Sequence, residues 1–157
     1  MNNPLAPGSS PADHPQPETV FGTLFGVPVP VIHAYTRAQA IEDGALVQVP
    51  EDLAKEAGFR FPVALTAAAW ADCVAWSDDD SKAQTPQDET GRLWDVLHMT
   101  RFAIKTARRA TDEIAVHLYR VPCDGKTVRA LPVSLTCVCG PGDSAEPVLT
   151  IMQPDES

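Results

Sequence analysis

The segment TPQDETGRLWDVLHMTRFAIKTARR at residues 85–109, followed by IAVHLY at residues 114–119, decides the fold class. In the first, Thr85-Pro86-Gln87-Asp88 sets a capping hydroxyl, a first-turn proline and an acid at the third position in a row. That combination is a strong helix start. Leu93, Val96, Leu97, Thr100, Ala103, Ile104 and Ala107 then recur at three-and-four spacing, which predicts one long helix to about Arg109 with a single apolar stripe. Arg101, Lys105 and Arg108 fall one turn apart on another face, at the end where cations suit the helix dipole. In the second stretch Ile114, Val116 and Leu118 alternate with Ala115, His117 and Tyr119, a period of two that predicts a strand with one buried face.

Downstream the pattern stays strand-like. Asp124-Gly125 is a hairpin turn pair, Val128 to Val138 a second strand, Gly140-Pro141-Gly142-Asp143 a second turn, and Val148 to Met152 a third strand. Upstream, Thr36-Arg37-Ala38-Gln39 is a capping box opening a short helix that closes at Gly44. Ala45 to Val49 reads as a strand, Pro50 as the first residue of a helix ended by Gly58, and Phe59 to Leu65 as extended chain. Thr66 caps a helix to about Trp76, and Ser77 to Gln84 reads as a polar acidic loop. The expected class is therefore α+β: short N-terminal helices plus one long helix packed on a C-terminal antiparallel three-stranded meander.

The chain has 157 residues and 15 prolines, five of them within the first 17 positions. Residues 1–19 have almost no large apolar side chains, so a disordered Pro-rich leader is expected there, with residues 20–157 forming one domain. The leader lacks the charged and apolar regions of a signal peptide, and no apolar run is long enough to span a bilayer. A cytoplasmic protein is expected. Phe21 to Ile32 reads as extended chain tolerant of proline. Cys73, Cys123, Cys137 and Cys139 match no zinc spacing, and Cys137 and Cys139 alternate along a strand as small buried groups would. No metal and no cofactor is expected.

Charge is unevenly distributed. Residues 1–91 carry thirteen carboxylates against four Lys/Arg, and residues 92–157 carry eight against eight, so the net charge of −9 arises in the first part. Such a field repels nucleic acid and attracts basic surfaces, so direct sequence-specific nucleic-acid binding is not expected. Asp72, Asp78, Asp79, Asp80, Asp88 and Glu89, with Trp76 as an aromatic anchor, are the expected partner-binding residues. Asp78-Asp79-Asp80 lacks the alternating ligand spacing and central glycine of a calcium loop. No serine lies in a nucleophile elbow, and His98 and His117 have no carboxylate at a telling distance, so no acid–base pair is read.

Two resemblances add to this. His33-Ala34-Tyr35-Thr36 and the short helix after it resemble the first motif of ADP-ribosyltransferases, which implies an alternative in which His33, Tyr35 and Thr36 hold NAD. The later motifs of those enzymes are missing, and helix capping alone explains Thr36. More broadly, the run from His33 through Val47, then Glu56 to Thr66, Trp70 to Trp76, Gly91 to Leu97, Gly140 to Asp143 and Ile151 to Pro154 resembles an uncharacterised family of small bacterial proteins encoded on plasmids, phages and other mobile elements. The match spans about Val31 to Pro154. The resemblance implies a role in transfer, maintenance or evasion of host defence. With the acidic charge, it leads to the expectation of a non-catalytic inhibitor of a host defence complex, such as a CRISPR effector or a restriction enzyme. Its partner would be a host protein or nucleoprotein complex with a basic surface. A plasmid-maintenance accessory protein is a further alternative.

Overall fold

The computed structural model describes residues 21–24, 27–30 and 35–156. The expected leader over residues 1–19 and His33 lie outside the described residues. The chain divides into two units, residues 1–34 and 35–157. In the first, β1 (Phe21–Leu24) and β2 (Val27–Pro30) form an antiparallel hairpin with Phe21 opposite Pro30 and Leu24 opposite Val27.

The second unit is α+β. Its elements in chain order are α1 (Arg37–Glu42), β3 (Leu46–Gln48), α2 (Glu51–Glu56), β4 (Val63–Thr66), α3 (Ala67–Cys73), α4 (Asp78–Ala83), α5 (Glu89–Thr106), β5 (Glu113–Arg120), β6 (Leu131–Pro141) and β7 (Pro147–Met152). The local signals behind them are short-range. At α1, Gln39 N donates to Thr36 Oγ1 at 3.1 Å while Thr36 N donates to Gln39 Oε1 at 2.9 Å, a closed capping box. Gly44 follows with φ +77°. Thr66 Oγ1 caps α3 by accepting from Ala69 N.

The sheet differs from the expected three-stranded meander. It is a five-stranded mixed sheet in the order β3-β4-β7-β6-β5. β5, β6 and β7 do pair antiparallel, but β7 then pairs parallel with β4, with Val63 opposite Leu149 and Leu65 opposite Ile151, and β3 closes the far side. The parallel pair joins strands separated by α3, α4, α5 and two strands, so no turn residue announces it. What β4 does carry is a run of three fully buried residues, Val63, Ala64 and Leu65, as an interior strand covered on both faces should. One core cluster unites the sheet with the helices: Leu65, Leu135, Cys137 and Ile151 meet Ala69, Cys73, Leu93, Val96 and Leu97.

Two helix expectations also need correction. The long helix starts at Glu89, capped by Asp88 rather than Thr85, because the Asp88 carboxylate reaches Gly91 N at 2.8 Å. It ends at Thr106 rather than near Arg109. The segment read as an acidic loop is instead α4, one and a half turns capped by Ser77. Ser77 and Asp80 form a second capping box, and three successive aspartates in the first turn suit its positive end.

Candidate functional site

The acidic residues proposed from sequence divide into structural and free groups. Asp72 is engaged: Arg120 Nη2 and Nε donate to its Oδ1 at 2.7 and 3.0 Å, and Gln153 Nε2 donates to Oδ2 at 3.2 Å. Asp80 accepts from Ser77 N at 2.8 Å and from the Ser77 hydroxyl at 2.5 Å. The Ser77 bonds, hydroxyl first, hold its carboxyl below the usual range. Asp88 caps α5 yet stays exposed. Asp79 makes only an exposed ion pair with Lys82 at 2.9 Å, worth little in water. Asp78 and Glu89 are exposed.

Trp76 is not an exposed anchor. It is 7% exposed, its indole N–H donates to Ser81 Oγ at 2.9 Å, and the Arg92 guanidinium lies over its ring, 4.6 Å from the centroid. Its role is to tie elements together. The Ser81 hydroxyl donates in turn to Gln87 O at 3.0 Å, which pins the residue before Asp88 against α4. Gln84 Nε2 donates to Pro122 O at 2.7 Å and to Thr127 O, and Gly125 N donates to Gln84 Oε1 at 3.0 Å, so the turn between β5 and β6 joins the same end of the molecule. Asp78 and Asp79 thus stand exposed in the first turn of α4, and Asp88 and Glu89 at the start of α5, on two segments that Ser81 and Gln87 tie together.

Arg92 organises this end, and sequence reasoning missed it. It is 5% exposed and donates to Val74 O at 3.1 Å, Val121 O at 3.1 Å, Asp72 O at 3.3 Å and Gln87 Oε1 at 2.6 Å. Burial holds its pKa below the ordinary value, and a guanidinium keeps its charge all the same. Nothing in the sequence signals it: with the helix read as starting at Pro86, Arg92 falls in the second turn. Only the observed start at Glu89 puts this cation in the first turn, where it opposes the dipole and needs compensating acceptors.

Of the residues of the NAD alternative, His33 lies outside the described residues, and the other two have local partners. The Thr36 hydroxyl is occupied by the α1 cap. Tyr35 is 62% exposed and donates to Asp43 Oδ2 at 3.1 Å. His117 Nδ1 lies 2.9 Å from Ser134 Oγ on the exposed sheet face. Among the described residues no group of three or more His, Cys, Asp or Glu is placed to hold a metal ion, and no helix is long and apolar enough to cross a membrane. Cys73 and Cys137 are buried, and burial pushes each thiol up to about 12.

At the other end of α5 lies a cleft of about 610 Å³ that the sequence did not announce. The C-terminal half of α5 gives it Arg101 and Ile104, the loop before β5 gives Arg108 and Arg109, and the turn before β4 gives Phe59, Arg60 and Phe61. Cys137, Cys139 and Leu149 of β6 and β7 close the floor. None of the four guanidinium groups has a hydrogen-bond or ion-pair partner among the described residues. The 18 residues of α5 make a helix about 27 Å long, so acids and bases are separated along one rod.

Residues 24–157 match the family model described as "Family of unknown function (DUF6573)". No curated protein and no solved structure matches the chain.

Proposed function

We propose that this chain, which belongs to the family of unknown function DUF6573, is a mobile-element protein that binds and inhibits a host defence complex without catalysis. A CRISPR effector or a restriction enzyme is the class of target, because such machines hold nucleic acid in Lys/Arg-lined channels. The observation that supports this reading is the acidic end: Asp78, Asp79 and Glu89 are exposed, serve no cap, and are held beside Asp88 by the Trp76–Ser81–Gln87 chain of hydrogen bonds. Exposed carboxylates on linked segments complement a basic channel and speed encounter with it. Asp72, Asp80 and Trp76 support the cluster from behind rather than touching the partner.

The test is phage plating on bacteria that carry a CRISPR or restriction system, with the protein expressed from a plasmid. Wild type restores plaques. The D78K/D79K/E89K variant fails to do so at equal expression while remaining folded, its urea midpoint lowered only by the modest cost of losing first-turn acids at two exposed helix starts. Full protection by that variant, or no protection by wild type in any such host, defeats the proposal.

A further inference from the structure

We infer that the arginine cleft is a binding site for a small organic phosphate with a flat ring system, the chemistry of a nucleoside monophosphate. Four arginines, Arg60, Arg101, Arg108 and Arg109, from three segments of the chain line one cavity of about 610 Å³, inside the size range of small-molecule sites. Cations that share a cavity lining are usually matched by acids, and a chain with 21 Asp and Glu has ample means of supplying them. It does so elsewhere: exposed Lys55 and Lys82 pair with Glu51 and Asp79. In the cleft it does not, although Asp112 and Glu113 belong to the same lining. A phosphate dianion supplies the missing partner, and its oxygens match the planar fork of a guanidinium, which an ammonium cannot imitate.

The rest of the cavity suits a ring. Phe59, Ile104 and Leu149 give an apolar floor, and Phe61, 44% exposed at the rim, offers a face for stacking. The backbone is shaped to fit as well. Gly58 has φ +89°, and a Cβ there would stand 3.3 Å from Arg101 Nε, so the turn before β4 lies directly against this guanidinium and restrains it. Apolar floor, aromatic rim and unpaired arginines together define a site with one polar and one flat apolar half. This inference is independent of the acidic end and of the inhibitor reading.

Isothermal titration calorimetry of the full chain tests it, with AMP, GMP and UMP as probes, inorganic phosphate as the ring-free control and a 10-mer of single-stranded DNA as the polymer control. The expected result is saturable binding of at least one monophosphate, weaker binding of phosphate alone, and loss of about tenfold or more in affinity in R108A/R109A. These two side chains are exposed and unpaired, so the fold survives their removal. F61A weakens the nucleotide but not phosphate, R108K weakens both, and R129A, outside the cleft, changes neither. Absence of heat for all three nucleotides, equal affinity for nucleotide and phosphate, loss in R129A, or tighter binding of the 10-mer than of any monophosphate overturns the assignment.

Discussion

Replacing Arg92 by methionine puts two opposing effects in direct competition. The side chain is 5% exposed and donates to two carbonyls in buried bonds, Val74 O and Val121 O, besides Asp72 O and Gln87 Oε1. Methionine fills much of the volume but donates nothing. Two buried acceptors left unpaired cost about 1–3 kcal/mol each, and the lost contact with the Trp76 ring adds about 1 kcal/mol. On the other side, removing a buried charge recovers its desolvation cost, and some buried charges are replaced by apolar groups with a gain in stability. Such gains come when the acceptors leave together with the donor. Here the acceptors are backbone groups and cannot leave. The expected net loss for Arg92→Met is therefore about 3 kcal/mol, a large share of the 5–15 kcal/mol typical of a domain. With a slope of about 1.5 kcal/mol per molar urea, the unfolding midpoint falls by roughly 2 M. Equilibrium urea unfolding followed by tryptophan fluorescence measures it. A midpoint equal to or above that of wild type would show that desolvation outweighs the bonds, and the reasoning would fail.

The remaining predictions concern thiols and pH. Ellman's reagent at pH 8 should modify exposed Cys123 in the folded protein and leave Cys73 and Cys137 unmodified until urea is added, because burial removes both access and thiolate. Prompt reaction of the two buried thiols without denaturant would contradict the core packing. Asp124 accepts from the Thr127 hydroxyl at 2.5 Å, from Thr127 N at 2.7 Å and from Lys126 N at 3.0 Å, and these bonds lower its pKa from 3.8 to about 2. A carboxyl with a depressed folded pKa supports the fold above its unfolded value, and that support is lost as pH falls from about 4 to about 2. An NMR titration of its side-chain carboxyl with a midpoint near 4 would show that the turn does not hold these bonds in solution.

Local chemistry was legible in the sequence where cause and effect lie within four residues. The Thr36–Gln39 box, the Thr66 cap and the left-handed Gly44 and Gly58 all follow from one turn of chain. The same logic applied at Ser77 and Asp80, yet three consecutive aspartates, poor interior helix formers, made α4 read as a loop. At α5 two caps three residues apart competed, and the better placed carboxylate of Asp88 won. The parallel β4–β7 pair was out of reach, because side-chain alternation defines a strand but not its neighbour. Trp76 reads in sequence as an exposed anchor at the end of a helix, and Arg92 carries no signal of its own; both are buried because segments from α3 to β5 close over them.

The net charge of −9 does not announce the cleft, and the reason bears on how an acidic chain can carry the proposed site. A whole-molecule charge governs the approach of a large polyanion, which feels many surface groups at once. A bound phosphate feels mainly what lies within a Debye length, about 8 Å in physiological salt. Along α5, Glu89 and Arg101 are twelve residues apart, about 18 Å or just over two such lengths, so the acids around Asp78 and Glu89 only weakly reduce the potential at Arg101. Lowering the salt extends the reach of the acids and opposes a long nucleic acid more than a mononucleotide. The same change strengthens both the arginine–phosphate contact and the attraction of the acidic end for a basic surface. Net acidity and the proposed site for a small anion are therefore compatible, and the same acidity would disfavour a polymer there.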